Sequence, residues 1–485
     1  MEMKRFLAGA LLVLMLVSVL CACNPTDPNV SNGKADGSDA SYGEVDFNDR
    51  ANVKDGLPEK NWAGKTYTIL QRTETEYEFG VEEMGVSTVN DLIYERDAVV
   101  EERFGVKIVS KPVNGGWGVH EDFIDYVRDT VASGTVDYDV VAGYAAIIPT
   151  LIAEGVFIDW NEVPHIDLER EWWSQDLVEE LTINGKLYLL SGDISLKFWE
   201  SMQGMFFNKT LAENAGIEDL YQVVRDGDWT FDTMMEVIRE ANVEDDNPET
   251  KIYGYVSGLT TQVDVYQDAF NIPVTTKDAD GKPYFTVNQE KTYNALQKVY
   301  DLICGSTYFY KAEDQAKSLE FFGQNRALFM PNQLGDGSVL NTYECNFGIL
   351  PMPKYDEEQE NYHSTCRDDY SLMAVPITSS NNLEFIGMIT EALCAQSYRA
   401  VVPQWYTVIL QNRYTKDEES IEMIEIIREG ILCNFGYIHS YALDWPAHQF
   451  NICINNNSTD FASLWESKEN TFNDNLDDLL DAYFD

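Results

Sequence analysis

Residues 103–109 have the sequence Arg103-Phe104-Gly105-Val106-Lys107-Ile108-Val109, in which a predicted helix ends and a predicted strand begins. The helix starts near Asn90, a favourable N-cap residue, and its apolar residues recur four and seven positions apart. Gly105 stands where a glycine commonly ends a helix, and β-branched residues follow it at once. The stretch therefore predicts a helix leading directly into a strand, a connection typical of α/β folds.

The same alternation continues on both sides of this stretch. Lys65 to Leu70 is rich in β-branched and aromatic residues and predicts the preceding strand. A helical pattern from Phe123 to Ala132 leads to another strand, Tyr138 to Tyr144. This order predicts an α/β fold with a mostly parallel sheet and helices on both faces. Such sheets bind ligands beyond the carboxyl ends of their strands.

The second half of the chain keeps the mixed pattern without repeating the sequence. Thr230 is the predicted N-cap of a helix that begins at Trp229-Thr230-Phe231-Asp232. Turn signals and periodicity predict further elements: a hairpin turn at 277–282, a helix at 289–304, a strand at 370–375, a helix at 383–395 and a helical tail from 459. No repeat of fixed period is visible, which argues against a repeat architecture.

The N-terminus has the layout of an export signal. A short positive segment precedes an apolar run over residues 6–20, which is shorter than the roughly 20 residues that span a bilayer. The next residues, Leu20-Cys21-Ala22-Cys23, resemble the lipobox of bacterial lipoproteins, in which the last cysteine receives a diacylglycerol before cleavage. Residues 1–22 are therefore predicted to be a lipoprotein signal peptide and Cys23 the lipidated residue. The alternative is an ordinary signal peptide with a chance pair of cysteines.

A polar segment follows the signal. Residues 23–61 are rich in Asn, Asp, Gly, Ser and Pro and contain few large apolar residues, which predicts a flexible tether. Two acyl chains on Cys23 would anchor a protein stably. Tether and lipid together predict an extracellular protein held at the outer face of the cell membrane.

Composition excludes several kinds of partner. The formal net charge is −48 at pH 7 over 485 residues, and so acidic a chain is repelled by phosphate backbones, so nucleic acid is not expected to bind. The length exceeds what one hydrophobic core serves, which predicts at least two lobes. No zinc motif or disulfide framework is apparent. Buried thiols and one or two disulfides both fit the scattered cysteines beyond the lipobox: Cys304, Cys345, Cys366, Cys394, Cys433 and Cys453.

The order of several short segments resembles the extracellular solute-binding proteins of bacterial ABC importers, in particular the sugar-binding group that includes maltose-binding protein. In the order of that family, the segments are Arg103 to Ile108, Asp137 to Val141, Leu151 to Asp159, Asn184 to Leu190, Met205 to Leu211 with Ala215 to Ile217, Trp229 to Asp232, Arg326 to Met330 and Phe347 to Pro353. Their shared order over nearly the whole mature chain carries the resemblance. The region around Trp172 and the C-terminal third depart from it, so ligand residues transfer poorly there.

The resemblance implies a two-lobed periplasmic-binding-protein-like fold of type II, with a hinge between the lobes and the solute between them. It implies residues 65–198 plus 346–396 in the first lobe and 199–345 plus 397–485 in the second. It also implies two partners, a small-molecule ligand that is expected to be a sugar and the permease subunits of an ABC importer. The protein is expected to act as a monomer, without a metal or cofactor.

The candidate ligand-binding residues follow from the chemistry of a sugar, which offers apolar C–H faces and a ring of hydroxyls. Positions beside the predicted strands, together with the cleft positions of the family, select Arg72, Tyr144, Trp199, Asn332, Asp369, Trp405 and Trp445. Each has a plainer alternative: Arg72 fits an exposed ion pair, Tyr144 a rim contact and Trp405 a core residue. Trp445 aligns loosely with a stacking aromatic residue of the family.

Alternative functions stay open on the sequence alone. The patterns of serine hydrolases, zinc proteases and dinucleotide-binding loops are incomplete, which favours a protein that is not an enzyme. The many carboxylates nevertheless leave a glycosidase pair as an alternative. The alternatives to a sugar-binding protein are therefore a surface enzyme acting on polysaccharide, a binding protein for a non-sugar solute, and an adhesin without a small ligand.

Overall fold

A computed structural model of the chain describes residues 50–217, 219–241, 247, 250–258, 261–405 and 418–484. The predicted signal peptide at 1–22, the lipidated Cys23 and most of the predicted tether lie outside these residues. Among the helices of the described ranges, none combines the length and the hydropathy needed to span a bilayer.

The strands form two five-stranded sheets and two short pairs. In chain order they are β1 (Lys65–Arg72), β2 (Val106–Val113), β3 (Val140–Tyr144), β4 (Phe157–Ile158), β5 (Gln203–Asn208), β6 (Tyr253–Ser257), β7 (Thr275–Lys277), β8 (Pro283–Phe285), β9 (Phe309–Lys311), β10 (Ala327–Gln333), β11 (Phe347–Leu350), β12 (Ser364–Thr365), β13 (Ser371–Pro376) and β14 (Ile431–Leu432).

Helices connect and cover these sheets. In chain order they are α1 (Thr88–Phe104), α2 (His120–Ser133), α3 (Gln175–Leu181), α4 (Leu196–Ser201), α5 (Lys209–Ala215), α6 (Leu220–Arg225), α7 (Phe231–Ala241), α8 (Thr261–Ala269), α9 (Glu290–Ile303), α10 (Gln315–Gly323), α11 (Gly337–Leu340), α12 (Leu383–Gln396), α13 (Glu418–Glu429), α14 (Phe435–Ile438), α15 (Gln449–Asn455), α16 (Phe461–Glu466) and α17 (Glu469–Phe484).

The first sheet has the strand order β2-β1-β3-β13-β4. β1 pairs in parallel with both β2 and β3, as the alternation of strands and helices predicted. β13 runs antiparallel to β3 and to β4, so it is the reversed strand of this sheet. The buried faces of these strands carry Ile69, Val141 and Leu372, and the α/β fold class is confirmed.

The second sheet has the order β11-β5-β10-β6-β9, and its reversed strand is β5. β11 pairs with β5, with Phe347 opposite Asn208. The prediction placed residues from 346 onward in the first lobe, and it is wrong for β11, which belongs to the second sheet. A strand joins the sheet whose edge offers it hydrogen-bonding partners, and here that edge is β5. The other lobe boundaries stay a prediction.

The ends of α1 show how local signals set the elements. Gly105 adopts a left-handed conformation with φ of 59°, as a C-capping glycine does. The N-cap, however, is Ser87 and not the predicted Asn90, because the Ser87 hydroxyl accepts a hydrogen bond from the Asn90 backbone amide. The predicted cap of α7 is confirmed, since Thr230 Oγ1 accepts from the Thr233 amide at 3.1 Å.

The last part of the predicted tether contacts the folded chain. Arg50 is 8% exposed, and its Nη2 donates to Glu425 Oε2 at 3.3 Å. Asp55 accepts from Arg103 Nη1 at 2.6 Å and from Arg399 Nη2 at 3.2 Å. The prediction of a flexible tether up to residue 61 is therefore wrong for the described end of that segment, because these ion pairs hold residues 50–55 against the surface.

Candidate functional site

Residues from both sheets meet at one polar site. Arg72 ends β1, Tyr144 ends β3 and Gln333 ends β10, so all three lie at carboxyl ends of strands. Asp369 precedes β13, whose reversed direction brings its start to the same edge of the first sheet, with Ser371 opposite Tyr144. The site therefore lies where the carboxyl edges of the two sheets face each other, as expected for α/β folds.

Asp369 links the two sheets through hydrogen bonds. Its carboxylate accepts from Gln333 Nε2 at 2.9 and 3.1 Å and from Ser201 Oγ at 2.5 Å. Lys197 Nζ lies 3.4 Å from Asp369 Oδ2, and the Asp369 carbonyl accepts from Arg72 Nη2 at 2.7 Å. The carboxylate of Asp369 thus holds side chains from α4 and β10, and its carbonyl holds Arg72 from β1.

A second set of hydrogen bonds surrounds Gln315, the first residue of α10. Gln315 Nε2 donates to Asn332 Oδ1 at 2.7 Å and to Asp336 Oδ2 at 3.1 Å. Arg367 Nη1 donates to Gln315 Oε1 at 2.7 Å and to Gln333 Oε1 at 3.2 Å. The site therefore contains amide, guanidinium and carboxylate groups with fixed orientations, and fixed polar groups are what selective binding of a polar ligand requires.

Several donors of this network lack a partner. Within the part of the chain that the structure describes, Arg72 Nε, Arg367 Nε and Asn332 Nδ2 are buried and make no hydrogen bond. A buried donor without a partner costs about 1 to 3 kcal/mol. A bound solute that offered oxygen acceptors would recover this free energy, so these atoms are candidates for contacts with a solute.

Two carboxylates of the site differ in protonation. Burial raises the pKa of Glu200 to about 6, although Lys197 acts in the opposite direction. Burial also acts to raise the pKa of Asp369, but the positive charges of Lys197 and Arg367 outweigh it and lower that pKa. Tyr77 donates its hydroxyl to Glu200 Oε2 at 2.5 Å. The site thus holds one firmly ionised carboxylate and one that takes up a proton in mild acid.

Aromatic rings border the polar network. The Trp117 ring centroid lies 6.3 Å from Tyr144 and 5.5 Å from Trp445, and Tyr441 lies 5.2 Å from Trp445. Arg72 Cζ lies 4.5 Å from the centroid of the Tyr144 ring, which joins this aromatic border to the network. Trp117 is 53% exposed, so part of the aromatic surface is open to a ligand.

The backbone at Trp445 is strained. Asp444 and Trp445 have φ angles of 66° and 71°, a left-handed region that residues other than glycine rarely adopt. The following turn is held by His448, whose Nδ1 lies 2.7 Å from Asp264 Oδ2. Strain of this kind clusters at functional sites and persists where surrounding contacts enforce it. The strained backbone therefore supports Trp445 as a candidate ligand-binding residue.

The sequence profile described as "Bacterial extracellular solute-binding protein" matches residues 119–384, more than half of the chain. The chain belongs to this family. Solute-binding proteins of known structure share the fold. One is an ABC substrate-binding protein from Listeria monocytogenes in complex with cycloalternan, which is 13% identical, with a TM-score of 0.52 over 87% of this chain and 99% of the other.

Two further structures resemble this solute-binding protein. An ABC transporter solute-binding protein from Thermotoga lettingae, bound with α-D-tagatose, is 13% identical, with a TM-score of 0.51 over 85% of this chain and 100% of the other. A cyclo/maltodextrin-binding protein complexed with maltotetraose is 12% identical, with a TM-score of 0.55 over 86% and 97% of the two chains. These likenesses confirm the periplasmic-binding-protein-like fold. No match is found among curated protein sequences.

The structure brings together some of the predicted ligand residues of this solute-binding protein and separates others. Arg72, Tyr144, Asn332 and Asp369 join the network, and Trp445 lies on its aromatic border. Trp199 and Trp405 are each 1% exposed, with ring centroids 6.2 Å apart. The structure places these two within the core and not beside the other candidates, because large aromatic side chains are core residues by default.

Sequence reasoning missed much of the network. Gln333 and Arg367 stand within two positions of the predicted Asn332 and Asp369, so wider windows around those residues would have found them. Lys197 stands two positions from the predicted Trp199, so the same wider window would have found it, whereas Gln315 and Trp117 carry no comparable signal. Among the described residues, no group of three or more His, Cys, Asp or Glu side chains could hold a metal ion, and all six cysteines beyond the lipobox are free thiols.

Proposed function

We propose that this protein is the lipid-anchored solute-binding component of an ABC importer, and that it captures a carbohydrate between its two sheets. The observation that carries this proposal is the set of buried, unpaired donors, Arg72 Nε, Arg367 Nε and Asn332 Nδ2, beside an aromatic border. A sugar meets both requirements, because its oxygens accept hydrogen bonds and its C–H faces pack on aromatic rings.

The mixture of charges also favours a neutral solute. Asp336, Asp369 and Glu200 lie in the network with Arg72, Arg367 and Lys197, so both signs of charge are present. A strongly charged solute would meet the like charge as well as the opposite one. The structural neighbours bound to cycloalternan, tagatose and maltotetraose support a carbohydrate as the class of solute.

The two-sheet fold supports closure about a hinge. The chain passes between the sheets through α4, through the segment 351–370 and beyond the end of α12. Hinge closure around a ligand uses a few residues in such connections. A closed protein would present both lobes to the permease, and the transport ATPase would supply the energy.

The first test compares sugar binding with the aromatic border intact and removed. Calorimetric titration with maltose, longer maltodextrins and ketohexoses should find one that binds with 1:1 stoichiometry. Trp445→Ala should lower the affinity for that sugar by about 10- to 100-fold, because loss of a central aromatic contact costs about 1 to 3 kcal/mol. Trp445→Phe should retain most of the affinity.

Tyr284→Ala is the matched control, since Tyr284 is 50% exposed and lies on β8, outside the aromatic border. Its sugar affinity should equal that of the wild type. Binding of amino acids or peptides in place of every sugar would contradict the carbohydrate assignment. Equal loss in the Trp445 and Tyr284 variants would contradict the role of Trp445.

The anchor is tested in cells. Cys23→Ala removes the thiol that would receive the diacylglycerol, and two acyl chains supply most of the membrane affinity. The variant should therefore appear in the medium or the soluble fraction, while the wild type sediments with membranes. Fractionation with labelled palmitate checks both points. Sugar affinity of the released protein should be unchanged, and an unlabelled wild type would contradict the lipid anchor.

A second candidate, hydrolysis of polysaccharide, is favoured by the differing pKa values of Glu200 and Asp369. Pairs of carboxylates whose pKa values are shifted apart by their surroundings serve as acid and base in glycosidases. Asp369, however, is engaged by Ser201, Gln333 and Lys197, which leaves it little freedom to act on a substrate. Shorter sugars in the recovered titration samples would support hydrolysis over binding.

A further inference from the structure

A second cavity lies behind α4. Its volume is about 390 Å³, which is within the range of small-molecule sites. Its walls come from the segment 171–176 before and within α3, from Gly192 and Asp193, from Arg428 and Glu429 at the end of α13, and from Ile431 of β14. α3 contacts β14, and α13 packs on β5 and β11 of the second sheet.

This cavity is separate from the polar site. On α4, Lys197 and Glu200 face the network around Asp369, and Ser201 donates to it. Phe198 and Trp199, from the other side of the same helix, line the cavity. One short helix therefore divides two sites with different surroundings.

Asp193 is an incompletely satisfied carboxylate in the wall of the cavity. The residue is 5% exposed, and its Oδ1 accepts from Trp199 Nε1 at 3.0 Å. Its Oδ2 is buried and makes no hydrogen bond with any residue that the structure describes. Burial raises the pKa of Asp193 to about 7, although Arg428 and Arg50 act in the opposite direction. A buried carboxylate oxygen without a donor is costly, so a ligand with an N–H group would be favoured there.

The remaining walls suit a cation with an apolar part. Glu171 and Glu429 are exposed at the cavity and Asp176 is half-buried, so carboxylates outnumber Arg428. Aromatic rings attract cations through their faces, and Arg428 Cζ already lies 5.2 Å from the centroid of the Trp199 ring. The aromatic lining consists of Trp173, Phe198, Trp199 and Tyr398.

We propose that the cavity beside Asp193 is a second binding site, which takes an organic primary ammonium ion. The ammonium group donates to Asp193 Oδ2, and its alkyl part packs against the aromatic lining. A quaternary ammonium ion has no N–H to donate, and an inorganic cation leaves the aromatic surface unfilled. The site is independent of the carbohydrate cleft, and a protein that binds no sugar would still bind the amine.

The experiment is a calorimetric titration of the mature chain with n-butylammonium chloride in the absence of sugar. Binding should be saturable with 1:1 stoichiometry, and tetramethylammonium chloride at the same concentrations should bind at least 10-fold more weakly. Asp193→Asn should lower the affinity for butylammonium at least 10-fold. Asp280→Asn, which neutralises an exposed carboxylate in the turn between β7 and β8, is the matched control and should bind like the wild type.

Glu429→Lys provides a second variant if Asp193→Asn lowers the folded fraction, because Glu429 is exposed at the cavity. The added positive charge should weaken butylammonium by at least 3-fold. Equal binding to the wild type, Asp193→Asn and Glu429→Lys would overturn the proposal and indicate general attraction to the acidic surface. Absence of saturable binding, or equal affinity for tetramethylammonium, would also overturn it.

Discussion

Replacing Arg96 with methionine is expected to lower the free energy of unfolding by about 3 to 5 kcal/mol. Arg96 is 1% exposed and lies in α1, where its Nε donates to Asp97 Oδ1 at 2.8 Å. Its Nη2 donates to the Glu78 carbonyl at 2.9 Å, and its Nη1 donates to the Ile194 carbonyl at 3.3 Å. Methionine would fill the space but leave the Asp97 carboxylate buried without its cation.

The cost should be large because Arg96 connects separate parts of the chain. Its partners belong to the 3₁₀ turn Thr73–Glu78, to the segment before α4 and, through Ser397 Oγ at 3.4 Å, to the end of α12. Removing one partner of a buried ion pair leaves the other charge buried and unpaired, which is strongly destabilising. Replacing the whole pair by apolar residues changes the stability far less. Equilibrium unfolding in urea, with circular dichroism as the signal, measures the change.

Arg128→Met is the control for this prediction. Arg128 is also paired, with Glu154 at 2.7 Å, but its side chain is 39% exposed. Exposed ion pairs contribute about 0 to 1 kcal/mol, so this variant should unfold close to the wild type. Similar destabilisation by the two variants would contradict the argument from burial.

Replacing Asp369 with alanine is expected to lower the affinity for the preferred sugar by about 100-fold or more. The carboxylate orients Gln333 and Ser201 and neutralises Lys197, whose Nζ lies 3.4 Å away. Loss of one partner of a buried, hydrogen-bonded charge pair in a binding site costs about 2 to 5 kcal/mol. The donors of the network would lose their orientation, and the half-buried Lys197 would be left without the carboxylate that lies 3.4 Å away. Calorimetric titration measures the affinity.

Asp369→Asn should give an intermediate affinity, because the amide oxygen can still accept from Gln333 while the charge opposite Lys197 is lost. Asp280→Ala, at an exposed turn, should leave sugar binding unchanged. All three proteins must first show cooperative thermal unfolding, so that weak binding is not confused with loss of the fold. Wild-type affinity in Asp369→Ala would contradict the site.

Much of the first sheet could be predicted from residues 65–144. The periodicity of α1, the glycine at 105 and the β-branched residues after it are local signals, and the structure confirms the elements that they predict. Elements that depend on a distant partner were harder. β11 is only four residues long, and its place in the second sheet depends on pairing with β5, which lies far away in the sequence.

The candidate site was predictable where a rule of topology applies. Arg72, Tyr144 and Asp369 stand at strand ends, and strand ends of one sheet edge meet in space. Trp199 and Glu200 show where that reasoning stops. They are neighbours in α4, yet Trp199 lines the cavity beside Asp193 and Glu200 joins the network around Asp369. Successive helical residues point in different directions, so a one-residue difference changes the site to which a side chain belongs.

The acidic charge and the α/β alternation are properties of consecutive residues, and the sequence is sufficient to establish them. The export signal depends on consecutive residues in the same way, and it stays a prediction. The polar network and the second cavity required the tertiary structure. Gln315, Gln333, Arg367 and Asp369 come from three separate elements, and their side chains meet only when β10 and β13 are brought to facing edges. Local periodicity reports which face of an element is buried, whereas the partners of a buried polar atom depend on how whole sheets are placed against each other.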